Sequence, residues 1–569
     1  MKFTFRTPTG SMPETIREFF YASAKKNADK TLFMEKIDGE YKNFSYRRYR
    51  SDVEALGTEL LSRDLLGKPI IVMGENCYSW VLTYMTVVCG VGVIVPVDKE
   101  LSAEELQNIA KISGAAAIFF SENCKAKAES LDGIEKFAFS DIEGLLDLGR
   151  EKLNAGDKAY LSAEIDPDKM AVLLFTSGTT GVSKGVMLSN RNICAALYRA
   201  TPLIDMNEND TLLSVLPLHH TYECSCGFLS PVYVGATVAF CEGLKYILKN
   251  LKEVRPTLLI CVPLLAETMY KKIKANISKK GLEKKVSAAI KATNVLGQNN
   301  KLAVAAKKKL FAEIHDVFGG RLRLIVSGGA PIDPSIMGGL RDFGINAIQG
   351  YGLTECAPLV AINPTQRPKN ASAGMGLIGA TVDIYNVGED GTGEIRYKGE
   401  NVMLGYFGDP DLTAESIRDG WFYTGDLGYI DKEGYIFITG RKKNVIVSAG
   451  GKNIFPEELE VYLGRCPFVK ESVVIGIENE SKRDYDIVAV IHPDYDKFSE
   501  IYGKNYSLSD VEREISSAVE ATNEAVQSYK HINMFIIRKE EFEKNSSRKI
   551  KRANVLPSVI DEYKRRTSN

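Results

Sequence analysis

A lysine and several hydroxyl groups stand together in one glycine-rich stretch, FTSGTTGVSKG, at residues 175–185. Glycine lets the main chain approach an anion closely, and backbone N–H groups and hydroxyls donate hydrogen bonds to its oxygens. Lys184 adds the point charge that a phosphate chain needs. The stretch predicts a phosphate-binding loop, although a long surface turn has a similar composition.

Three other interpretations of glycine-rich segments are weaker. GTTGVSKG does not fit the G-x-x-x-x-G-K-[ST] pattern of P-loop NTPases. GVSKG fits the G-x-S-x-G of serine hydrolases, with Ser183 as nucleophile, but it ends a long loop where that motif needs a sharp strand-to-helix turn. GMGLIG, at residues 374–379, fits the dinucleotide fingerprint but precedes a strand-like segment where a helix is required.

Further reactive side chains follow downstream. YGLTE places a hydroxyl beside the carboxylate of Glu355, which fits a phosphate site if Mg²⁺ lies between them. YTGD offers Asp426 as an acceptor for a ribose diol, and Arg441 in TGRKKN can bind sugar or phosphate. NSSRKIKR places Lys549 in a hydroxyl-rich turn. Each segment alone has an ordinary structural explanation, but their order along one chain favours a nucleotide site.

The composition excludes several classes of protein. A chain of 569 residues is too long for one core, and its net charge of −1 provides no general attraction to nucleic acid. Ten scattered cysteines without a CxxC pair are typical of reduced thiols, and the N-terminal residues lack a signal-peptide core, so we expect a cytoplasmic protein. The uncharged segment 79–97 is long enough to span a membrane, but its GVG break predicts a buried helix followed by a strand.

Short β-branched runs alternate with amphipathic stretches from about residue 30 to 350, which predicts α/β architecture with parallel sheets. From about 375 to 440, glycine-punctuated strands such as GEIRYKGE and GYIFITG predict a small antiparallel barrel or sheet. The domain boundary is placed at GRKKN. The prediction is a large domain over residues 1–440, including the barrel, and a small α+β domain over residues 441–569.

Residues 271–309 form a lysine-rich insert, with twelve lysines against one acid, Glu283, or about +11. Solvated helices would explain this composition. A sharper hypothesis is a patch attracted to an anionic membrane surface, where each exposed lysine adds about 1 kcal/mol.

The series FTSGTTGVSKG, LPLHHTYE, VSGGAPI, YGLTE, YTGDLGYID, GRKKNVIV and SSRKIKR resembles the adenylate-forming superfamily of acyl-CoA synthetases. The resemblance covers residues 12–557. Within the superfamily the chain is most similar to bacterial long-chain fatty acid–CoA ligases, because of LPLHHTYE and the long insert. One departure is Arg548, which stands where most members have glycine.

The resemblance implies a role for each matching residue. The residues around the β- and γ-phosphates of ATP would be Thr176, Ser177, Gly178, Thr179, Thr180, Gly181 and Lys184. Those near the adenine would be Gly329, Ala330, Pro331 and Tyr351. Those at the reacting groups would be Thr354 at the α-phosphate, Glu355 on Mg²⁺, His220 beside the acyl carboxylate and the catalytic Lys549. The remaining roles would be the ribose for Asp426 and Arg441, the interdomain hinge for Lys443 and the coenzyme A channel for Gly450 and Gly451.

The activity that the resemblance implies is ATP-dependent formation of a long-chain acyl-CoA through an acyl-adenylate, with a mobile C-terminal domain. Its partners would be fatty acid, ATP, Mg²⁺ and coenzyme A, with peripheral membrane contact through Lys271–Lys309 and a homodimer as further predictions. A medium-chain or aryl acid–CoA ligase, and a ligase that loads a carrier protein, stay open. A nucleotide-binding module without turnover is disfavoured, because Thr354, Glu355, Asp426 and Lys549 are all present.

Overall fold

The structure is a computed structural model, which describes residues 10–176, 184–295, 297–298, 300–479, 481–503, 505–544 and 550–567. The chain forms two compact units. The first contains the chain up to Val382, with Tyr397–Phe422 and Lys432–Ile436. The second contains Asp383–Arg396, Tyr423–Asp431 and the chain from Phe437 onward.

The secondary structure alternates between strands and helices, as an α/β protein requires. Up to residue 376 the strands are β1 (Thr31–Ile37), β2 (Glu40–Ser45), β3 (Pro69–Met73), β4 (Val93–Val97), β5 (Ala117–Phe120), β6 (Glu135–Ala138), β7 (Met170–Thr176), β8 (Lys184–Ser189), β9 (Thr211–Ser214), β10 (Thr237–Phe240), β11 (Leu258–Cys261), β12 (Leu324–Ser327), β13 (Asn346–Gly352), β14 (Leu359–Ile362) and β15 (Gly374–Gly376). The helices of the same stretch are α1 (Ile16–Lys26), α2 (Tyr46–Ser62), α3 (Tyr78–Thr86), α4 (Ala103–Ser113), α5 (Lys125–Glu129), α6 (Ile142–Asn154), α7 (Asn190–Ile204), α8 (Ser230–Val234), α9 (Ile247–Val254), α10 (Pro263–Lys279), α11 (Glu283–Asn294), α12 (Lys301–Leu310), α13 (Ala312–Val317) and α14 (Pro334–Asp342).

The later strands are shorter until the last three. They are β16 (Thr381–Tyr385), β17 (Gly393–Lys398), β18 (Gly405–Tyr406), β19 (Ile417–Arg418), β20 (Trp421–Ile430), β21 (Tyr435–Arg441), β22 (Ile446–Val447), β23 (Asn453–Ile454), β24 (Val469–Asn479), β25 (Asp484–Pro493) and β26 (Met534–Ile537). The later helices are α15 (Pro410–Ser416), α16 (Pro456–Leu463), α17 (Tyr495–Tyr502), α18 (Leu508–Ala525) and α19 (Arg552–Thr567).

The first unit contains two sheets. One has the order β18-β8-β7-β4-β3-β5-β6, in which β7, β4, β3, β5 and β6 are parallel. The other runs β2-β1-β10-β9-β11-β12-β13-β14-β15, and its members from β1 to β13 are parallel. The central strands are continuous apolar runs, such as the fully buried β4 and β11, because helices cover both faces of parallel sheets. The predicted α/β class is confirmed.

The segments between residues 375 and 440 were predicted to form a small antiparallel barrel or sheet. They do form strands, and β16, β17, β20 and β21 are neighbours in that order. After β21 the order continues to β15, which pairs antiparallel with β21 through Tyr435 with Met375 and Ile436 with Gly374.

The uncharged segment 79–97 has the predicted break. Helix α3 is followed by a π-helical turn, Val87–Val91, and then by β4. Gly90 within that turn has φ +143, a conformation that favours glycine. Across the described residues, no helix combines the length and apolar character needed to cross a bilayer.

The lysine-rich insert forms α10, α11 and α12. Ile273 and Ile277 are buried on α10, whereas ten of the twelve lysines are exposed. Lys307 is an exception: it is fully buried and donates hydrogen bonds to the backbone oxygens of Gln298 and Arg341. The insert is therefore packed onto the first unit on one side and positively charged on the other.

The second unit has its own core. Strands β24 and β25 pair antiparallel, β26 lies parallel to β25, and α16 and α18 pack against each other. Leu459, Ile487 and Ile515 are among the buried apolar side chains between them. This α+β arrangement agrees with the predicted character of the C-terminal part.

Candidate active site

The predicted phosphate loop is described at its two ends. Thr176 ends β7 and Lys184 begins β8, and the two residues are partners in the antiparallel ladder. Ser177, Gly178, Thr179, Thr180 and Gly181 lie outside the described residues, as does Ser183 of the hydrolase alternative. The structure therefore places the lysine of this motif at the first residue of β8, opposite Thr176.

The side chain of Tyr406, which was not identified from the sequence, contacts both Lys184 and Glu355. The ammonium of Lys184 lies 5.4 Å from the ring centre of Tyr406, close enough for a cation–π interaction. The phenol of Tyr406 donates a 2.9 Å hydrogen bond to Oε1 of Glu355. Burial raises the pKa of this phenol, and the Glu355 carboxylate raises it further, so the hydroxyl stays a donor. The ladder between β18 and β8 places Tyr406 opposite Val186.

Thr354 and Glu355 belong to a single 3₁₀ turn, Thr354–Cys356, just after β13. The backbone N–H of Met403 donates to the Glu355 carbonyl at 2.8 Å, and the Asn401 amide donates to the Cys356 carbonyl at 2.7 Å. Through these two hydrogen bonds, the 400–403 segment holds the Thr354–Cys356 turn in place. The Glu355 carboxylate is thus oriented by Tyr406 and by its own backbone.

The LPLHHTYE segment lies beside this turn. The Thr221 hydroxyl donates to the Thr354 hydroxyl at 3.3 Å. His220 directly precedes Thr221 in the chain, so its backbone lies near the same turn. The rings of His219 and His220 are 4.1 Å apart. Asp98, just after β4, lies 3.6 Å from Nε2 of His219, beyond ordinary hydrogen-bond distance. Burial, helped by His220, lowers the pKa of His219 to about 3, so its imidazole is neutral at physiological pH.

The predicted adenine segment follows β12. Gly329, Ala330 and Pro331 are exposed, and Gly329 has φ +83, which favours glycine. Tyr351 is buried in β13, the strand next to β12. The carboxyl ends of these neighbouring parallel strands therefore carry the predicted adenine residues and the YGLTE residues at one edge of the sheet, the usual place for ligands in α/β folds.

The second unit holds the predicted ribose residues. Arg441 Nε lies 2.8 Å from Asp426 Oδ1, and Asp426 is almost fully buried whereas Arg441 is half-exposed. Lys443 is exposed just after β21. Gly450 and Gly451 form an exposed turn between β22 and β23, in which Gly451 has φ +73.

Lys549 lies outside the described residues. On either side of it, Lys544 and Ile550 form an antiparallel bridge. Arg552, at the start of α19, donates to Glu460 Oε1 at 2.6 Å. The roles of Lys549 and of the other predicted site residues stay predictions.

A magnesium site can be judged from its donor atoms. Among the described residues, no group of three or more histidine, cysteine, aspartate or glutamate side chains is arranged to hold a metal. Mg²⁺ at a nucleotide site commonly uses one or two carboxylates plus substrate phosphates and water. Glu355, fixed by Tyr406 beside Lys184, fits that pattern.

Tyr406, Thr221 and Asp98 are the site residues that the sequence analysis did not identify. Tyr406 stands in a short GYFG sequence without a regular pattern, and Asp98 only follows an apolar run. Their positions depend on pairing between distant strands, so the sequence carries little local signal for them. Thr221 could have been noticed because it directly follows the two histidines.

Comparisons with known proteins agree with this geometry. The profile of the family described as AMP-binding enzyme matches residues 20–407. A long-chain-fatty-acid–CoA ligase, FadD15 of Mycobacterium bovis, is 26% identical and covers 96% of this chain and 95% of its own. Long-chain-fatty-acid–CoA ligase 1 of Homo sapiens is 29% identical over 81% of this chain and 71% of its own. The crystal structure of the anthranilate CoA ligase AuaEII with anthranoyl-AMP has a TM-score of 0.75 at 19% identity, covering 96% of this chain and 98% of that one. The predicted resemblance to the adenylate-forming superfamily is confirmed.

Proposed function

Because the chain belongs to the AMP-binding enzyme family, we propose that it is an AMP-forming acid–CoA ligase whose acid substrate is a long-chain fatty acid. The observation that carries the proposal is the link from Lys184 through Tyr406 to Glu355, next to Thr354. This link joins a phosphate-binding cation to a carboxylate suited to Mg²⁺.

In the first half-reaction the fatty acid carboxylate attacks the α-phosphorus of ATP. The bond from that phosphorus to the bridging oxygen of pyrophosphate breaks, and an acyl-adenylate remains. The carboxylate is already an anion, so the protein need not provide a nucleophile or a base. Catalysis then consists of positioning and of stabilising the charge that develops on the phosphoryl oxygens.

Different residues of the first unit would bind the phosphates, the magnesium ion and the acid. Lys184 would bind the β- and γ-phosphates, and the Thr354 hydroxyl would donate to the α-phosphate. Glu355 would hold Mg²⁺, which when bound neutralises charge on the phosphates. His220 would lie beside the acyl carboxylate. His219, which contacts the His220 ring, is neutral at physiological pH.

The second unit would complete the reaction. Asp426 and Arg441 would bind the ribose, and Lys549 would stabilise the crowded α-phosphate during adenylation. Reorientation of the C-terminal domain about Lys443 would then withdraw Lys549 and present Gly450 and Gly451 to coenzyme A. The coenzyme A thiol, after losing its proton, attacks the acyl carbonyl and expels AMP. Such domain movements often limit turnover.

The long-chain substrate is supported by two curated relatives named long-chain-fatty-acid–CoA ligase and by the LPLHHTYE segment. Product mass spectrometry tests the proposal. The protein is incubated with Mg-ATP and acids from acetate to octadecanoate, plus benzoate, each with and without coenzyme A. We expect long-chain acyl-CoA and AMP with coenzyme A, and acyl-AMP without it. Acyl-AMP that never becomes a thioester would favour a carrier-protein acceptor, and no adenylate from any acid would contradict the proposal.

Peripheral membrane contact is a further part of the proposal, and a homodimer stays a prediction. The ten exposed lysines of the insert present positive charge, and the apolar side chains of Val295 and Leu302 are 83% and 73% exposed near the α11–α12 connection. Lysines attract anionic headgroups, and exposed apolar side chains can enter the interface.

Vesicle co-sedimentation tests this contact. Binding to vesicles with anionic phosphatidylserine should exceed binding to neutral vesicles and weaken with salt. Replacement of Lys279, Lys284 and Lys285 by glutamate should abolish binding. The matched control replaces Lys111, Lys125 and Lys158, which are exposed elsewhere. Equal binding to both kinds of vesicle would contradict an electrostatic contact.

A further inference from the structure

A glutamate is buried at the end of the LPLHHTYE segment. Glu223 is 1% exposed and begins the π-helical turn Glu223–Leu229. Its Oε1 accepts a 2.6 Å hydrogen bond from the Ser214 hydroxyl, whereas its Oε2 has no partner among the described residues. Gly227 packs so closely that an added Cβ would lie 2.6 Å from the carboxyl carbon. The proposed mechanism gives this carboxyl group no task.

Among the described residues, no cation is found among the groups that act on the Glu223 carboxyl. The turn packs against α7, α8, β9 and β11. The titratable groups that face the carboxyl are Tyr222, Cys224 and Cys226 on its own segment and Cys261 on β11. Burial raises the pKa of all four, that of Cys224 and Cys261 to about 12, so they are neutral. An ionised Glu223 would be a buried, unpaired charge, which is very costly.

Burial also disfavours the charged form of Glu223. It raises the pKa of the carboxyl to about 8, against the opposing effect of the Ser214 hydrogen bond. The geometry agrees, since a carboxylate normally gathers several donors and Glu223 has one. At neutral pH the side chain is therefore a carboxylic acid.

A chain of hydrogen bonds leads from Glu223 to the active-site segment. Asn76, which follows β3 of the other sheet, donates to the Ser214 hydroxyl at 2.9 Å and to the Leu216 carbonyl at 2.7 Å. Its side-chain oxygen accepts from the Leu218 N–H at 3.0 Å. The backbone on both sides of Pro217 is thereby fixed, just before His219, His220 and Thr221.

We propose that Glu223, as a neutral acid, is a positioning residue for adenylation: through Ser214 and Asn76 it holds the 215–222 segment so that Thr221 meets Thr354. The role of Thr354 in this statement rests on the proposed function. Glu223 does not touch the reacting atoms. Its ionisation would break the arrangement by placing a charge where the segment provides one donor.

The test compares wild type with Glu223→Gln, a neutral side chain of the same shape, and Glu223→Leu, which cannot accept from Ser214. An exposed carboxyl on α4, changed by Glu104→Gln, is the matched control. Thermal unfolding of the full chain is followed from pH 5 to pH 9, and ATP–pyrophosphate exchange is measured at each pH. Nucleotide affinity is measured by calorimetry.

The sign of the expected effect follows from proton linkage. Between the unfolded pKa of 4.5 and the folded value of about 8, folding of the wild type takes up a proton at Glu223. The wild type therefore loses stability relative to Glu223→Gln as the pH rises through this window, and the difference levels off above it. The exchange rate of the wild type should fall above about pH 8 in a one-proton step that Glu223→Gln lacks.

Glu223→Gln should retain the exchange rate of the wild type at pH 7 within about two-fold. Glu223→Leu should lose about ten-fold or more in kcat with little change in KM for ATP, because Thr221 is displaced and the phosphate loop is not. Rescue by glutamine but not by leucine separates positioning from mere packing. If the thermal stability of wild type, Glu223→Gln and Glu104→Gln changed with pH in the same way, the proposal would be overturned. If no acid supports exchange, the proposed function fails, whereas the unfolding comparison still decides the state of Glu223.

Discussion

The hydroxyl of Tyr406 donates to the carboxylate of Glu355 across 2.9 Å, although the two residues are 51 positions apart in the chain. The same ring contacts the Lys184 ammonium. One aromatic side chain thus orients both the predicted metal-binding carboxylate and the predicted phosphate-binding cation. Its two functions can be separated, because the first needs the hydroxyl and the second needs only the ring.

Tyr406→Phe should raise the Mg²⁺ concentration needed for half-maximal ATP binding by about ten-fold. A hydrogen bond to a charged group contributes about 1.5–3 kcal/mol, and 1.4 kcal/mol corresponds to a factor of ten. Calorimetric titration of ATP at several Mg²⁺ concentrations measures the shift. Tyr198→Phe, which loses a hydroxyl bonded to the Gly10 carbonyl, is the control. An unchanged Mg²⁺ dependence would show that Tyr406 does not orient the Glu355 carboxylate.

His219→Gln should make the protein more resistant to acid than the wild type. The folded pKa of His219 is lowered to about 3 from an ordinary 6.5, so the unfolded chain takes up a proton that the folded chain excludes as the pH falls below 6.5. The stability that neutral His219 provides is present above pH 6.5 and decreases toward pH 3. Each pH unit in this window costs the wild type about 1.4 kcal/mol, or about 2 kcal/mol between pH 6.5 and pH 5.

Denaturant unfolding at pH 7 and pH 5 measures this difference. His531→Gln in the second unit is the control for loss of a histidine. If wild type and His219→Gln lose equal stability on acidification, the imidazole is already protonated in the folded chain.

Lys549→Ala should abolish adenylation but largely spare thioester formation from supplied acyl-adenylate. In the proposed mechanism, Lys549 stabilises charge on the α-phosphate, and that charge develops only in the first half-reaction. Pyrophosphate release and acyl-CoA formation are measured separately. Lys551→Ala, which removes a nearby exposed cation, should spare both steps. Equal loss in both assays would refute the assignment.

Asp426→Asn and Arg441→Ala should each raise the KM for ATP. The free-energy loss calculated from the KM of the double variant should be smaller than the sum of the losses in the two single variants. The side chains contact each other at 2.8 Å, so each replacement removes the same ion pair. Arg396→Ala breaks the pair with Asp383 in the same unit and serves as the control. Strict additivity would mean that the two residues act independently on the nucleotide.

Much of the fold follows from local patterns. Apolar runs such as PIIVM and VIVPV become the buried strands β3 and β4, because the period and composition of a buried parallel strand are visible in the sequence. Helix α4 has an equally local origin, since Ser102 and Glu105 form a capping box and Gly114 ends the helix in a left-handed conformation. The pairing of β21 with β15 has no such local signal, because it is a property of the whole sheet.

The site was predictable only where a motif is continuous. Thr354 and Glu355 are adjacent in one turn, so the sequence already places a hydroxyl beside a carboxylate. Tyr406 comes to Glu355 because β18 pairs with β8, and Asn76 comes to Ser214 from the other sheet. Neither contact has a fixed spacing along the chain. The burial of Glu223 likewise arises only after folding.

The buried Lys307 gives the lysine-rich insert an internal reporter. An amine-reactive label should modify the ten exposed lysines of the insert quickly, whereas Lys307 can react only when α12 separates from the Arg341 carbonyl. Burial lowers the pKa of its ammonium in the folded chain, and this effect is lost on exposure, so the exposed amine should react like the neighbouring lysines. Peptide mapping of labelling at Lys307 over time would therefore measure how often this helix detaches, with its ten neighbours as the internal standard.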